Sequence, residues 1–222
     1  MSNRSFFVNA CTSLNMVLGL ATVYLAFHGC LTAAACCMLG SVIWDSADGI
    51  LARRWKVASD FGAQLDSLAD LTSFGVGGAS LVLAWFSPPL PLWIMLPVSS
   101  AVALMAAWRL ARFNANPPRP GEFQGVPTTA MATMTSVTYL TYPQLCPYCG
   151  AILACLLAAL MVSPLPYPKF SKPTDLPLWF LLVLPLAGYY NLHWTLWGCS
   201  ILYLLSGPLI WWQRRRPPVL PN

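Results

Sequence analysis

Apolar residues fill this chain in long blocks separated by short, polar, proline-rich breaks. The blocks run at about 8–28, 31–54, 60–86, 91–112, 127–142, 147–163, 176–190 and 193–212. Most approach the roughly 20 residues that a helix needs to cross a bilayer. The fifth and seventh are shorter or more polar. The breaks hold Pro88-Pro89, Pro117-Pro118, the run from Pro164 to Pro173, and Pro217-Pro218, which punctuate helices. Pro97, Pro185 and Pro208 fall inside blocks, where kinks are tolerated if neighbours satisfy the freed carbonyls. The pattern predicts an all-α fold, a polytopic transmembrane helical bundle of about eight helices. No cleavable signal is expected, because the first block is followed by further spans and lacks a convincing cleavage site.

Composition agrees with that reading. Of 222 residues, 57% are hydrophobic and 9% charged, with a mean hydropathy of +0.61, which excludes an ordinary soluble domain. Charge placement then sets the orientation. The basic residues are Arg4, Arg53, Arg54, Lys56, Arg109, Arg112, Arg119, Lys169, Lys172, Arg214, Arg215 and Arg216. With eight spans and a cytoplasmic N-terminus, all twelve fall on the cytoplasmic side, and the opposite loops near 29–30, 87–90, 143–146 and 191–192 hold none. That is the positive-inside pattern. It predicts a multi-pass protein of the cytoplasmic membrane with both termini inside. The net charge of +5 reads as topology plus attraction to anionic lipid; no nucleic-acid module is present.

Six of the eight cysteines (Cys11, Cys30, Cys36, Cys37, Cys155 and Cys199) lie in or beside apolar blocks and act there as small hydrophobes. Cys146-Pro147-Tyr148-Cys149 has redox-motif spacing without the βαβ setting that would support it, and supplies half a zinc site at most. At the outer surface it is either a small disulfide or a loop with two free thiols.

The chemistry concentrates elsewhere. Only seven residues are acidic, and five of them fall between 45 and 70. Asp45 and Asp48 are spaced i,i+3, and Asp66 and Asp70 i,i+4, so each pair points one way from its own helix. Ionisable side chains in membrane spans are functional candidates by default. Four carboxylates are hard oxygen ligands suited to Mg²⁺, Mn²⁺ or Ca²⁺. The bland alternative, buried carboxylates serving as glue between helices, leaves their mutual repulsion unbalanced.

The full order is Asp45-x2-Asp48-Gly49-x2-Ala52-Arg53-x8-Gly62-x3-Asp66-x3-Asp70. It resembles the signature of the CDP-alcohol phosphatidyltransferases at every specified position. Further segments resemble the integral-membrane phosphatidylserine synthases, a branch of that family. These are Leu65 to Val76, Arg109-Leu110-Ala111-Arg112-Phe113-Asn114, Phe123-Gln124-Gly125-Val126-Pro127-Thr128-Thr129, and Met161 to Pro168. Lys169-Phe170-Ser171-Lys172 departs from the branch pattern.

The resemblance implies a single integral-membrane domain over 1–222, with a six-helix catalytic core at about 8–163 and extra helices at about 176–212. It implies transfer of the phosphatidyl group from CDP-diacylglycerol to L-serine, with CMP leaving. Asp45, Asp48, Asp66 and Asp70 would hold two divalent cations, with Asp70 also the base for the acceptor hydroxyl. Gly49, Ala52, Arg53 and Gly62 would line the CDP-lipid pocket. From the residues themselves, the two glycines allow close approach or close helix packing. Arg53 offers a guanidinium fork to the diphosphate or is an interfacial anchor. Arg109 and Arg112 either bind lipid phosphate or the acceptor's carboxylate, or snorkel. Asn15, a polar residue in an apolar run, either hydrogen-bonds substrate or bridges helices. A homodimer is left open. The rival readings are another acceptor (glycerol 3-phosphate or inositol phosphate), an archaeal-type lipid donor, and, in a different class, a divalent-cation transporter.

Overall fold

A computed structural model describes residues 3–115, 122–168 and 178–215, with the backbone alone described at 122, 178–190 and 214–215. Arg119, Lys169, Lys172, Arg216 and the start of the expected seventh span lie outside the described residues.

Helix α1 (Asn3–Phe27) buries Val8, Cys11, Thr12, Asn15, Gly19, Thr22 and Ala26. That stripe at steps of three and four faces the bundle, while Phe6, Phe7, Val17, Leu20, Tyr24 and Phe27 are exposed. Large apolar side chains facing outward are what a lipid solvent selects, and the same belt continues on the other long helices. Helix α2 (Leu31–Trp55) returns antiparallel after a turn in which Gly29 takes φ +74°. It ends on Lys56 in the left-handed region at φ 55°, where the Lys56 and Val57 amides donate to the carbonyls of Arg53 and Ala52.

The third span is continuous from Asp60 to Phe86 but not uniform. An α-helical turn set, α3 (Asp60–Asp70), passes into a π-helical segment (Leu71–Gly77) and then α4 (Gly78–Phe86). Ser59 caps α3 by accepting a hydrogen bond from the Gly62 amide at 3.1 Å. The π segment packs on α1 at Gly19, where any side chain would collide with Ser73.

Helix α5 (Leu92–Ala115) brings the chain back to the end where α1 begins. Two short strands, β1 (Glu122–Gln124) and β2 (Pro166–Pro168), then pair antiparallel with Phe123 opposite Tyr167. They tie the approach to α6 (Thr128–Thr141) to the exit from α7 (Pro147–Val162). Gly125 takes φ +75°, and a side chain there would strike the Met161 carbonyl. This strap is the departure from an all-helical expectation. Its composition, with three prolines beyond Ser163, shows no strand-like alternation.

Helix α8 (Leu178–Arg215) is broken at Asn191, which is extended, so it makes two rods where blocks seven and eight were expected. Among the described residues, five helical stretches are long and apolar enough to span by themselves: 3–27, 31–55, 60–86, 92–115 and 191–213. The chain is an integral membrane protein. The short α6 is buried against its neighbours, and its threonines satisfy themselves: Thr133, Thr135, Thr138 and Thr141 donate to carbonyls four residues back.

Candidate functional site

Helices α2 and α3 supply the carboxylates, and the turn between them fixes their approach. One carboxylate oxygen from each of Asp45, Asp48 and Asp66 lies within 4.8 Å of the other two. Asp70, one turn beyond Asp66 on the same helix, lies within electrostatic reach of Asp45 and Asp66. All four expected acidic residues therefore meet. Asp48 and Asp70 are 4% and 9% exposed and Asp45 and Asp66 are half-buried, so the group is set into the bundle and not out in solvent.

Like charges this close repel strongly in a partly buried setting. Arg53 and Arg109 are the cations that act on them. Four carboxylates outnumber these two guanidinium groups, an excess of negative charge that a shared divalent cation would offset. The donor set, all carboxylate oxygen, fits a hard cation. Asp45, Asp48 and Asp66 are placed to hold one.

The non-acidic motif residues also converge. Gly49, Ala52, Arg53 and Gly62 line one cleft of about 200 Å³ together with Asp48 and Asp66. The Arg53 guanidinium lies across Gly49, within 3.5 Å of where a side chain there would begin. At Gly62 a side chain would press on Ser59 Oγ and touch Asn9. Both glycines thus keep the cleft open beside the carboxylates.

Two neighbouring helices, α1 and α6, hold the acids, and α5 backs them. Thr12 of α1 donates to Asp48 Oδ2 at 2.6 Å. Asn15 of α1 donates through Nδ2 to Asp70 Oδ1 at 3.5 Å. Thr128, the first residue of α6, donates to Asp70 Oδ2 at 3.5 Å and lies 3.4 Å from Arg109 Nη1 of α5. Thr12, Thr128, Asn9 and Ser59 were not singled out from sequence. The signal for the first was available: Asn9, Thr12 and Asn15 fall at three-residue steps in an apolar helix.

The two paired arginines diverge. Arg109 is 6% exposed, lies 5.9 Å from the Phe123 ring centre and reaches Thr128 beside Asp70. Arg112 turns to the strap: its guanidinium donates to the carbonyls of Val162, Gln124 and Met161 at 2.7, 3.0 and 3.4 Å. Cys146 and Cys149 are free thiols at the far end of the bundle.

The sequence profile of the CDP-alcohol phosphatidyltransferase family matches residues 6–166. The chain is 33% identical over 198 residues to the CDP-diacylglycerol–serine O-phosphatidyltransferase of Methanocaldococcus jannaschii, covering 88% of this chain and 89% of that protein. It is 34% identical over 220 residues to the protein of the same name from Helicobacter pylori, covering 92% and 90%. It is also 34% identical over 161 residues to the archaetidylserine synthase of Methanothermobacter thermautotrophicus, covering 70% and 66%.

Proposed function

The chain belongs to the CDP-alcohol phosphatidyltransferase family, and from that premise we propose that it transfers the phosphatidyl group of CDP-diacylglycerol to L-serine, giving phosphatidylserine and CMP. The observation that carries this reading is the single cleft lined by Gly49, Ala52, Arg53 and Gly62 next to Asp48 and Asp66. A cation pathway has no use for an open, arginine-lined cleft beside its carboxylates; a nucleotide diphosphate does. The relatives' names have serine in common and differ in the lipid they name.

In this reading Asp45, Asp48, Asp66 and Asp70 hold two divalent cations, Mg²⁺ or Mn²⁺ with Ca²⁺ as a third candidate, which supply charge neutralisation for the diphosphate. Arg53 presents its guanidinium fork to the same diphosphate, and Gly49 and Gly62 let the nucleotide lie against the helix backbones. Thr12 fixes the orientation of Asp48. Asp70 takes the proton from the serine hydroxyl as that oxygen attacks the lipid-side phosphorus. Its hydrogen bonds from Asn15 and Thr128 orient the carboxylate for that transfer. Arg109 binds the serine carboxylate; its burial among protein groups strengthens a charge-assisted bond there. Arg112, committed to three carbonyls, supports the strap instead.

The active site faces the cytoplasm in this proposal, within a single domain whose catalytic core spans about 8–163. Among the described residues, Arg4, Arg53, Arg54, Lys56, Arg109 and Arg112 share the carboxylate end of the bundle, and the turns at the far end carry no Lys or Arg.

The test is CMP release by the purified full chain with CDP-diacylglycerol, Mg²⁺ or Mn²⁺, and a panel of acceptors. Serine-dependent release is the expected result. Release with glycerol 3-phosphate or inositol phosphate and none with serine would reject the acceptor and keep the family.

A further inference from the structure

Among the described residues, four buried side-chain nitrogen or oxygen atoms have no hydrogen-bond partner: Asn15 Oδ1, Arg109 Nε, Ser136 Oγ and Trp197 Nε1. The first two flank the same carboxylate. Asp70 Oδ1 accepts from Asn15 Nδ2, and Asp70 Oδ2 accepts from Thr128, which Arg109 Nη1 also reaches. An orphaned acceptor therefore stands on one side of the base and an orphaned donor on the other.

Buried polar atoms are almost always satisfied, and an exception at a site calls for a ligand that completes it. Asn15 is 0% exposed. Its backbone carbonyl accepts from Ser73 Oγ at 2.9 Å and Ser41 Oγ at 3.3 Å, so the π segment and α2 both pin the residue. The amide is held beside Asp70 with its oxygen unspent.

Serine carries three polar groups on adjoining carbons. The proposed function assigns its hydroxyl to Asp70 and its carboxylate to Arg109, and leaves the ammonium without a partner. An ammonium is a donor only, with three N–H groups. Asn15 Oδ1 is an acceptor only. We propose that Asn15 is a specificity-determining residue of the acceptor site, its side-chain oxygen accepting a hydrogen bond from the ammonium of the acceptor amino acid. The inference rests on the serine reading above. The base then lies between a cation-reading and an anion-reading group, which matches a zwitterion and neither a sugar phosphate nor a simple alcohol. A site built this way discriminates strongly, because an acceptor without the ammonium leaves the amide oxygen unpaired.

The experiment uses the full chain with CDP-diacylglycerol and saturating Mg²⁺, comparing wild type with Asn15→Leu and Asn15→Asp. The leucine is close in size and has no acceptor; the aspartate keeps one. Asn15→Leu is expected to raise the KM for L-serine at least about tenfold while the KM for CDP-diacylglycerol stays within about twofold. Inhibition by 3-hydroxypropionate, which has the carboxylate and hydroxyl but no ammonium, should be unchanged within about twofold in the same variant. Asn15→Asp should recover affinity for serine relative to Asn15→Leu. The proposal is overturned if serine KM is unmoved, if both substrate KM values rise together, or if the change is in Mg²⁺ dependence alone, which would make the amide a cation ligand. If Asn15→Leu does not fold, the same comparison with Asn15→Ser decides. Wild type lacking serine-dependent CMP release would defeat the functional reading itself; wild type active with unaltered Asn15 variants defeats this inference only.

Discussion

Asp48 is positioned by a 2.6 Å hydrogen bond from Thr12, so two kinds of residue change act on the proposed cation site. Replacing a ligand, as in Asp45→Asn, Asp48→Asn or Asp66→Asn, removes charge from a shared site and should nearly abolish CMP release while the protein stays folded. Near-normal turnover by all three at limiting Mg²⁺ would show that the cluster is not catalytic. Replacing the support, Thr12→Val, keeps every charge and loses the orienting bond. It should raise the Mg²⁺ concentration for half-maximal activity by roughly 10- to 100-fold. At Asp70 the expected split is different. Asp70→Asn should cut turnover by about 10²- to 10⁴-fold, and CDP-lipid binding should fall much less. Parallel loss of binding would make Asp70 a ligand and not a base. The acids, glycines and Arg53 were legible in sequence because their spacing is fixed and their types are rare in a membrane span. Thr12 was not read, because a threonine in an apolar helix is ordinarily satisfied by its own backbone. It does donate to the Val8 carbonyl at 3.2 Å as well.

At the level of elements, periodicity located the helices but could not register the third span. The π segment begins directly after Asp70, and the extra residue in its turn changes the phase between Asp66–Asp70 and the downstream face. No local composition announces that shift; it is set by Gly19 of α1 receiving Ser73 and by Ser73 bonding the Asn15 carbonyl. The β1–β2 strap escaped for the complementary reason, since its pairing joins residues over forty positions apart and neither strand alternates. Arg112 belongs to this strap. Its three bonds hold the C-terminal carbonyls of α7 and the end of β1, a cationic cap at a helix C-terminus. Arg112→Ala should therefore lower stability by on the order of 2 kcal/mol, seen as earlier thermal unfolding in detergent, with the serine KM of the folded fraction unchanged. A serine KM that rises with unaltered thermal stability would return Arg112 to the acceptor site. The i,i+3 spacing with Arg109 could not separate the two roles. Position along α5 does: Arg109 lies one turn deeper, facing Phe123 and Thr128.

Over the whole molecule, the carboxylate cluster lies at the end where α1 starts, α2 ends and α5 ends, and that end carries the described basic residues of those helices. The far end holds the turns at 28–30 and 87–91, the loop at 142–146 and the break at Asn191. Cys146 sits in that far loop and is exposed. Hydrogen bonds from the Cys149 backbone and then its thiol pull the Cys146 thiol below the usual cysteine range. A lowered thiol keeps more of its reactive thiolate as pH falls, so its alkylation should persist to lower pH than that of an ordinary exposed cysteine. This makes Cys146 a native reporter of sidedness. In a variant retaining Cys146 alone, a membrane-impermeant maleimide should label intact right-side-out vesicles. In a cysteine-free variant carrying Lys56→Cys, the same reagent should label only after permeabilisation, because Lys56 sits in the α2–α3 turn beside the proposed active-site cleft. Labelling of Lys56→Cys from outside, with Cys146 protected, would invert the bundle and place catalysis on the outer face. Labelling of both from one side would break the antiparallel path of the three spans between them, the third span, α5 and α6, and with it the positive-inside assignment on which the proposed cytoplasmic active site rests.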